Sequence, residues 1–142
     1  MSLKSNTHYL HNVYVQSTGT CVGRDEHDGP LGDYFDVYFE DLYCKQKTFE
    51  KAEREMQKVA IQNCLQKANC KEEDLDLIVG GDLTNQITAS SYVAREIAVP
   101  YLGIYGACSS SCLSMAISGM LIESNYFSKI LAFATTGALG KY

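Results

Sequence analysis

From Thr48 onward, apolar or small residues recur at Ala52, Met56, Val59, Ala60 and Cys64 with charged residues between them. Steps of three and four place them on one stripe, which predicts an amphipathic helix with Thr48 as its N-cap. Residues 12–17 show the other period: polar positions alternate with Val13 and Val15 before the turn pair Thr18-Gly19, which predicts a short strand. Leu75-Asp76-Leu77-Ile78-Val79 ends in an unbroken apolar run, as in a strand buried on both faces, and Gly80-Gly81-Asp82 is expected to stop it. A second helix is predicted over residues 88–98 and ends before Pro100; a strand over 101–105 follows. Gly106-Ala107-Cys108-Ser109 then turns into a small-residue helix over 110–124, and a last strand covers 129–134.

Strands and helices therefore alternate, and two of the inner strands lack period-two patterning. This predicts an α/β layered fold with a largely parallel sheet covered by helices on both faces. No short repeat, low-complexity tract or linker divides the chain, so residues 1–142 read as one domain. The stretch 19–48, rich in Gly, Asp and Tyr, is too long for a bare connection and is expected to cover a site or to pack against another subunit.

Composition narrows the function. A formal charge of -5 leaves no basic surplus for phosphates, which argues against nucleic acid and against an anionic membrane surface. The first eight residues lack the apolar run of a secretory signal, and no stretch approaches the length of a membrane span, so synthesis in the cytosol is expected. In that compartment the six cysteines read as thiols rather than a disulfide framework. Cys108 and Cys112 are four apart, but His8, His11 and His27 all lie in the first 27 residues, so no metal site is expected.

In open parallel sheets ligands gather beyond the carboxyl ends of the strands. Two segments fit that place: Gly80-Gly81-Asp82 with Asn85 and Gln86, and Gly106-Ala107-Cys108 with Ser109 and Ser110. Cys108 stands between a strand and a helix start, where backbone N–H groups favour a thiolate and can hold an oxyanion; the alternative is a small residue that lets helix and sheet pack closely. Asp82 reads as a helix cap, a turn residue or an acid facing a pocket. Asn85 and Gln86 can orient a polar ligand or be solvated, and Arg95 can pair with an anion or lie on the surface. No histidine is placed at this edge to partner Cys108, which argues against a self-contained Cys-His enzyme.

Taken in order, Asp28-Gly29-Pro30-Leu31-Gly32-Asp33 with Phe35-Asp36, Gly81-Asp82-Leu83 with Asn85-Gln86, Tyr92-Val93-Ala94-Arg95 and Gly106-Ala107-Cys108-Ser109 resemble the stage V sporulation protein AD family, of thiolase-like fold. The resemblance covers about residues 12–134 and the first of that fold's two similar halves. It implies that Cys108 holds the position of the acyl-accepting nucleophile of thiolases, as a vestigial nucleophile in a non-catalytic protein, with Asp82 lining the same pocket. It implies binding of dipicolinic acid (pyridine-2,6-dicarboxylate), by Asp82, Asn85, Cys108, Ser109 and Ser110, for uptake into the developing spore, with no resident cofactor and with calcium as an accompanying ion. The expected partners are other proteins of the same sporulation operon, including membrane subunits, and a second copy in a homodimer, at the inner forespore membrane. The alternatives are an acyltransferase of the ketoacyl-synthase type using Cys108, and an interaction module that docks onto membrane transport subunits through residues 19–48.

Overall fold

The computed structural model describes residues 7, 9–83 and 87–136. Its centre is a three-stranded parallel sheet in the order β4-β3-β5, formed by β3 (Leu77–Asp82), β4 (Tyr101–Gly103) and β5 (Ile130–Thr135). Both neighbours of β3 run parallel to it, with Ile78 opposite Tyr101 and Leu131. Alternation along β3 divides two cores. Ile78 packs with Ile61 and Leu65 of α2 (Phe49–Lys67) and with Val93 and Ile97 of α3 (Thr88–Ile97). Leu77 and Val79 face the other way, against Leu113, Ile117 and Leu121 of α4 (Ser110–Glu123). Helices therefore cover both faces, as the pattern predicts.

Three expectations need correction. Gly80 and Gly81 do not stop the strand; they are its interior. A Cβ on Gly80 would meet the Phe133 ring at 2.5 Å, and one on Gly81 would meet the Ile104 carbonyl oxygen at 2.0 Å, so the glycines let neighbouring strands close on β3. Residues 12–17 form no strand. Their backbone finds no strand partner, and the segment is tied down instead through side chains: the N–H groups of His11 and Asn12 donate to Glu123, and Ser17 Oγ donates to the Cys64 carbonyl. Last, the deepest stripe of α2 is Ala52, Glu53, Gln57, Ile61 and Leu65 rather than the run through Met56, Ala60 and Cys64, which is only half-buried.

The α2 helix begins as expected, with Thr48 Oγ1 accepting from the Lys51 N–H at 3.3 Å. The long stretch before it folds into a small parallel pair, β1 (Cys21–Gly23) and β2 (Val37–Phe39), joined through the short helix α1 (Arg24–His27). Asp36 and Thr20 brace its base: the Thr20 N–H donates to Asp36 Oδ2 and the Asp36 N–H to Thr20 Oγ1, each at 2.9 Å. His27 stacks on Tyr38 with ring centroids 3.6 Å apart.

Candidate functional site

The carboxyl edge of the sheet is where β3 delivers Asp82 and where the chain leaves β4 for the turn at Cys108. Asp82 is fully buried, and its Oδ2 accepts the Ser90 N–H at 2.7 Å. Ser90 is the third residue of α3, so the carboxylate caps that helix from outside it. The need is clear: the residue at the usual cap position is Ile87, in left-handed backbone and with no side-chain oxygen. Around this carboxylate lies a buried polar cluster that sequence reasoning missed. Gln57 Nε2 donates to Ser90 Oγ at 3.4 Å, and Tyr101 Oη donates to the Gly80 carbonyl at 3.0 Å. Burial, and then the charge of Asp82, push the Tyr101 phenol up to about 12, so it stays a donor. The one signal in the sequence is Gln57 four residues after Glu53 on a helix, which marks a common face but not that the face is inside.

Cys108 lies in a 3₁₀ turn, Ala107–Ser109, that runs into α4. Ala107 takes a positive φ of 49°, and Cys108 and Ser109 are both exposed, so the packing alternative for Cys108 does not hold within this chain. Two amides at the head of the helix are in use. The Ser109 N–H donates to the Gly106 carbonyl at 3.0 Å, and the Ser110 N–H donates to the Ala107 carbonyl. Ser110 itself is buried, its Oγ accepting from the Gly106 N–H at 3.2 Å, while Ser109 Oγ donates to the Gly106 carbonyl. The turn thus leaves Cys108 exposed while two of its amides, those of Ser109 and Ser110, are engaged within it.

Alternation places Asp82 with Ile78 on the α2–α3 face, whereas Cys108 stands at the head of α4 on the opposite face. The two share an edge but not a face. Asn85 and Gln86 lie outside the described residues. Arg95 is exposed near the C-terminal end of α3, away from the edge where that helix starts, which is the surface reading. A calcium ion takes six to eight oxygen ligands, and the buried, capping Asp82 does not fit that need; among the described residues no three His, Cys, Asp or Glu side chains cluster closely enough to hold a metal ion.

The model of the family described as stage V sporulation protein AD matches residues 4–139. Stage V sporulation protein AD of Bacillus subtilis is 40% identical over 124 residues, which are 87% of this chain and 37% of that protein. The chain belongs to the stage V sporulation protein AD family. That family is named for a stage of sporulation, and the chain spans a little over a third of the length of the curated relative it matches.

Solved structures place the family fold among the thiolase-like proteins. A 3-oxoacyl-[acyl-carrier-protein] synthase III from Aquifex aeolicus superposes with a TM-score of 0.55 at 24% identity, over 67% of this chain and 32% of its own. The priming β-ketosynthase of a polyketide biosynthetic pathway gives 0.55 at 19% identity, over 86% of this chain and 41% of its own. The corresponding synthase III from Xanthomonas oryzae gives 0.54 at 14%, over 83% and 41%. At these identities the likeness is one of fold. The described part of the family protein contains no helix long and apolar enough to cross a membrane.

Proposed function

We propose that the chain is the part of a sporulation protein that binds dipicolinic acid for its uptake into the developing spore. One observation carries the reading: in a family tied to sporulation, the turn at Cys108 and Ser109 stands open at the carboxyl edge of a parallel sheet, where such folds take small ligands. The flat dianion would meet the Cys108 and Ser109 side chains there. Asp82 would act from the other face as a positioning residue that fixes the end of β3. A longer protein, a second copy of the chain and membrane subunits of the same operon at the inner forespore membrane complete the proposal.

Isothermal titration of dipicolinate, alone and with Ca²⁺, into the chain and its Cys108→Ala and Ser109→Ala variants tests it. Micromolar binding that weakens at least tenfold in the variants is the expected result. Equal affinity in wild type and variants removes this turn from the site.

The exposed thiol in a strand–helix turn favours a second reading, acyl transfer through Cys108, since proteins of the same fold are named as a 3-oxoacyl-[acyl-carrier-protein] synthase and a β-ketosynthase. Incubation with an acyl-CoA followed by intact mass analysis separates the two. A thioester on Cys108 that forms with release of free CoA and is then discharged to an acceptor supports the transferase; an unmodified thiol supports the binding protein.

A further inference from the structure

A second nucleophilic cluster stands at the amino edge of the sheet, opposite the edge that carries the Cys108 turn. Cys70 lies just past the end of α2, before the 3₁₀ turn Glu72–Asp74, and Lys129 immediately precedes β5. Lys129 Nζ donates to Cys70 Sγ at 3.3 Å, although the two residues are 59 apart in sequence. The Cys70 thiol has two acceptors of its own, Asp74 Oδ2 at 3.6 Å and the Lys71 carbonyl at 3.7 Å. Both Cys70 and Lys129 are half-buried, which leaves sulfur and nitrogen within reach of a small reagent.

The backbone holds this pair from both sides. The Cys70 N–H donates to the Leu65 carbonyl at 2.9 Å and so closes the end of α2. The Lys129 N–H donates to Asp76 Oδ2 and the Lys129 carbonyl accepts from the Asp76 N–H, each at 2.9 Å, which pins the residue to the start of β3. The register continues from there, with Leu77 opposite Ile130. Main-chain bonds of α2 and β3 thus fix where the thiol and the amine meet. Other lysines pair with carboxylates: Lys58 with Glu96, Lys67 with Asp36 and Lys71 with Glu73. Lys129 makes no such ion pair among the described residues, and its ammonium is turned to sulfur instead.

We propose that Cys70 and Lys129 form an acyl-relay site, at which a short-chain acyl-CoA acylates Lys129 by way of Cys70. Sulfur takes the acyl group readily and an amide holds it more firmly than a thioester, so a thiol and an amine at this distance can pass it one way. Cys70 Sγ attacks the thioester carbonyl, an Sγ–C bond forms, and the CoA thiolate leaves with the proton that Cys70 gives up through water. Lys129 Nζ, as the free amine, then attacks that carbonyl carbon, which is one bond from Sγ and so within a near-attack range of about 3–3.5 Å. An N–C amide bond forms, the Sγ–C bond breaks, and the proton released by nitrogen restores the thiol. The sum is acyl-CoA and lysine amine giving N-acyl-lysine and CoA. The product lacks the positive charge of Lys129 at the root of β5. The relay stands at the other edge of the sheet from Cys108 and does not depend on what that turn binds.

The test is incubation of the folded chain with acetyl-CoA at pH 8, the peptides that carry Cys70, Cys108 and Lys129 being read separately by mass spectrometry. Lys129 should gain an acetyl group at least tenfold faster than in Cys70→Ala and in Cys70→Ser, the second of which keeps a hydrogen-bond partner for the lysine. In Lys129→Arg the acetyl group should stop on Cys70, as an adduct that hydroxylamine removes. Equal acetylation of Lys129 with and without the Cys70 thiol overturns the relay and makes the amine the direct acceptor. An adduct on Cys70 that never reaches Lys129 overturns it, as does a chain left unmodified at both residues. A dependence on Cys70 that persists in the urea-unfolded chain also overturns it, since the fold is then not what joins the pair.

Discussion

At the scale of single residues, the edge of the sheet is set by Asp82 and by the glycines before it. Asp82→Ala removes a carboxylate that accepts a buried N–H and leaves α3 without a cap; unfolding in urea should show a loss of about 2–3 kcal/mol. Gly81→Ala drives a methyl into the Ile104 carbonyl on a neighbouring segment, and a loss of about 3 kcal/mol is expected, whereas Gly23→Ala meets nothing within 4 Å and should be near neutral. The thiols sort by burial in the same way. Burial, then the charges of Cys44 and Glu55, pushes Cys21 up to about 12, and burial, then the charges of Asp41 and Glu55, pushes Cys44 up to about 11. With iodoacetamide at pH 8, Cys108 and Cys112 should be alkylated in the folded chain and Cys21 and Cys44 only after denaturation, read by peptide mass mapping.

At the scale of elements, two connections govern how the layers meet. Thr48→Ala deletes the side-chain cap of α2 and should cost about 1 kcal/mol by thermal or urea unfolding. Asp76 ties the start of β3 to the start of β5: its Oδ2 accepts the N–H groups of Ser128 at 2.7 Å and Lys129 at 2.9 Å. Those two bonds, Ser128 first, hold its carboxyl below the usual carboxylate range. A lowered folded pKa adds stability above the unfolded value of about 3.9, and that stability is lost as pH falls through the folded value. Asp76→Asn should therefore melt below wild type at pH 7, and the gap in melting temperature should start to close near pH 4 and vanish in stronger acid. A gap that holds constant down to pH 2 would show that the carboxylate charge is not what matters there.

At the scale of the whole molecule, a ligand that binds only the folded chain should raise stability by mass action. With dipicolinate at a hundred times its dissociation constant, about 2.7 kcal/mol is expected, read as a shift in the urea midpoint that the Cys108→Ala variant lacks.

Much of the architecture was legible along the chain because helix and strand periods act locally. The stripe after Thr48, the apolar run through Val79, the break at Pro100 and the small-residue stretch after Ser109 each announce an element, and their order dictates a parallel sheet with two helix layers. The site was legible only in outline, as a turn holding Cys108 and a strand end holding Asp82. Tertiary structure alone decided the rest. Whether Gly80-Gly81 ends a strand or admits its neighbours depends on what lies across the sheet. Whether residues 12–17 become a strand depends on a partner for their backbone. That Asp82 and Cys108 occupy opposite faces follows from a count of strand residues against the two helix layers, and periodicity does not report which layer a given helix joins. The sequence by itself thus determined the family and, from Thr48 onward, the elements and their order. Burial, pairing and facing were decided in three dimensions, because they are properties of contacts between segments far apart in the chain.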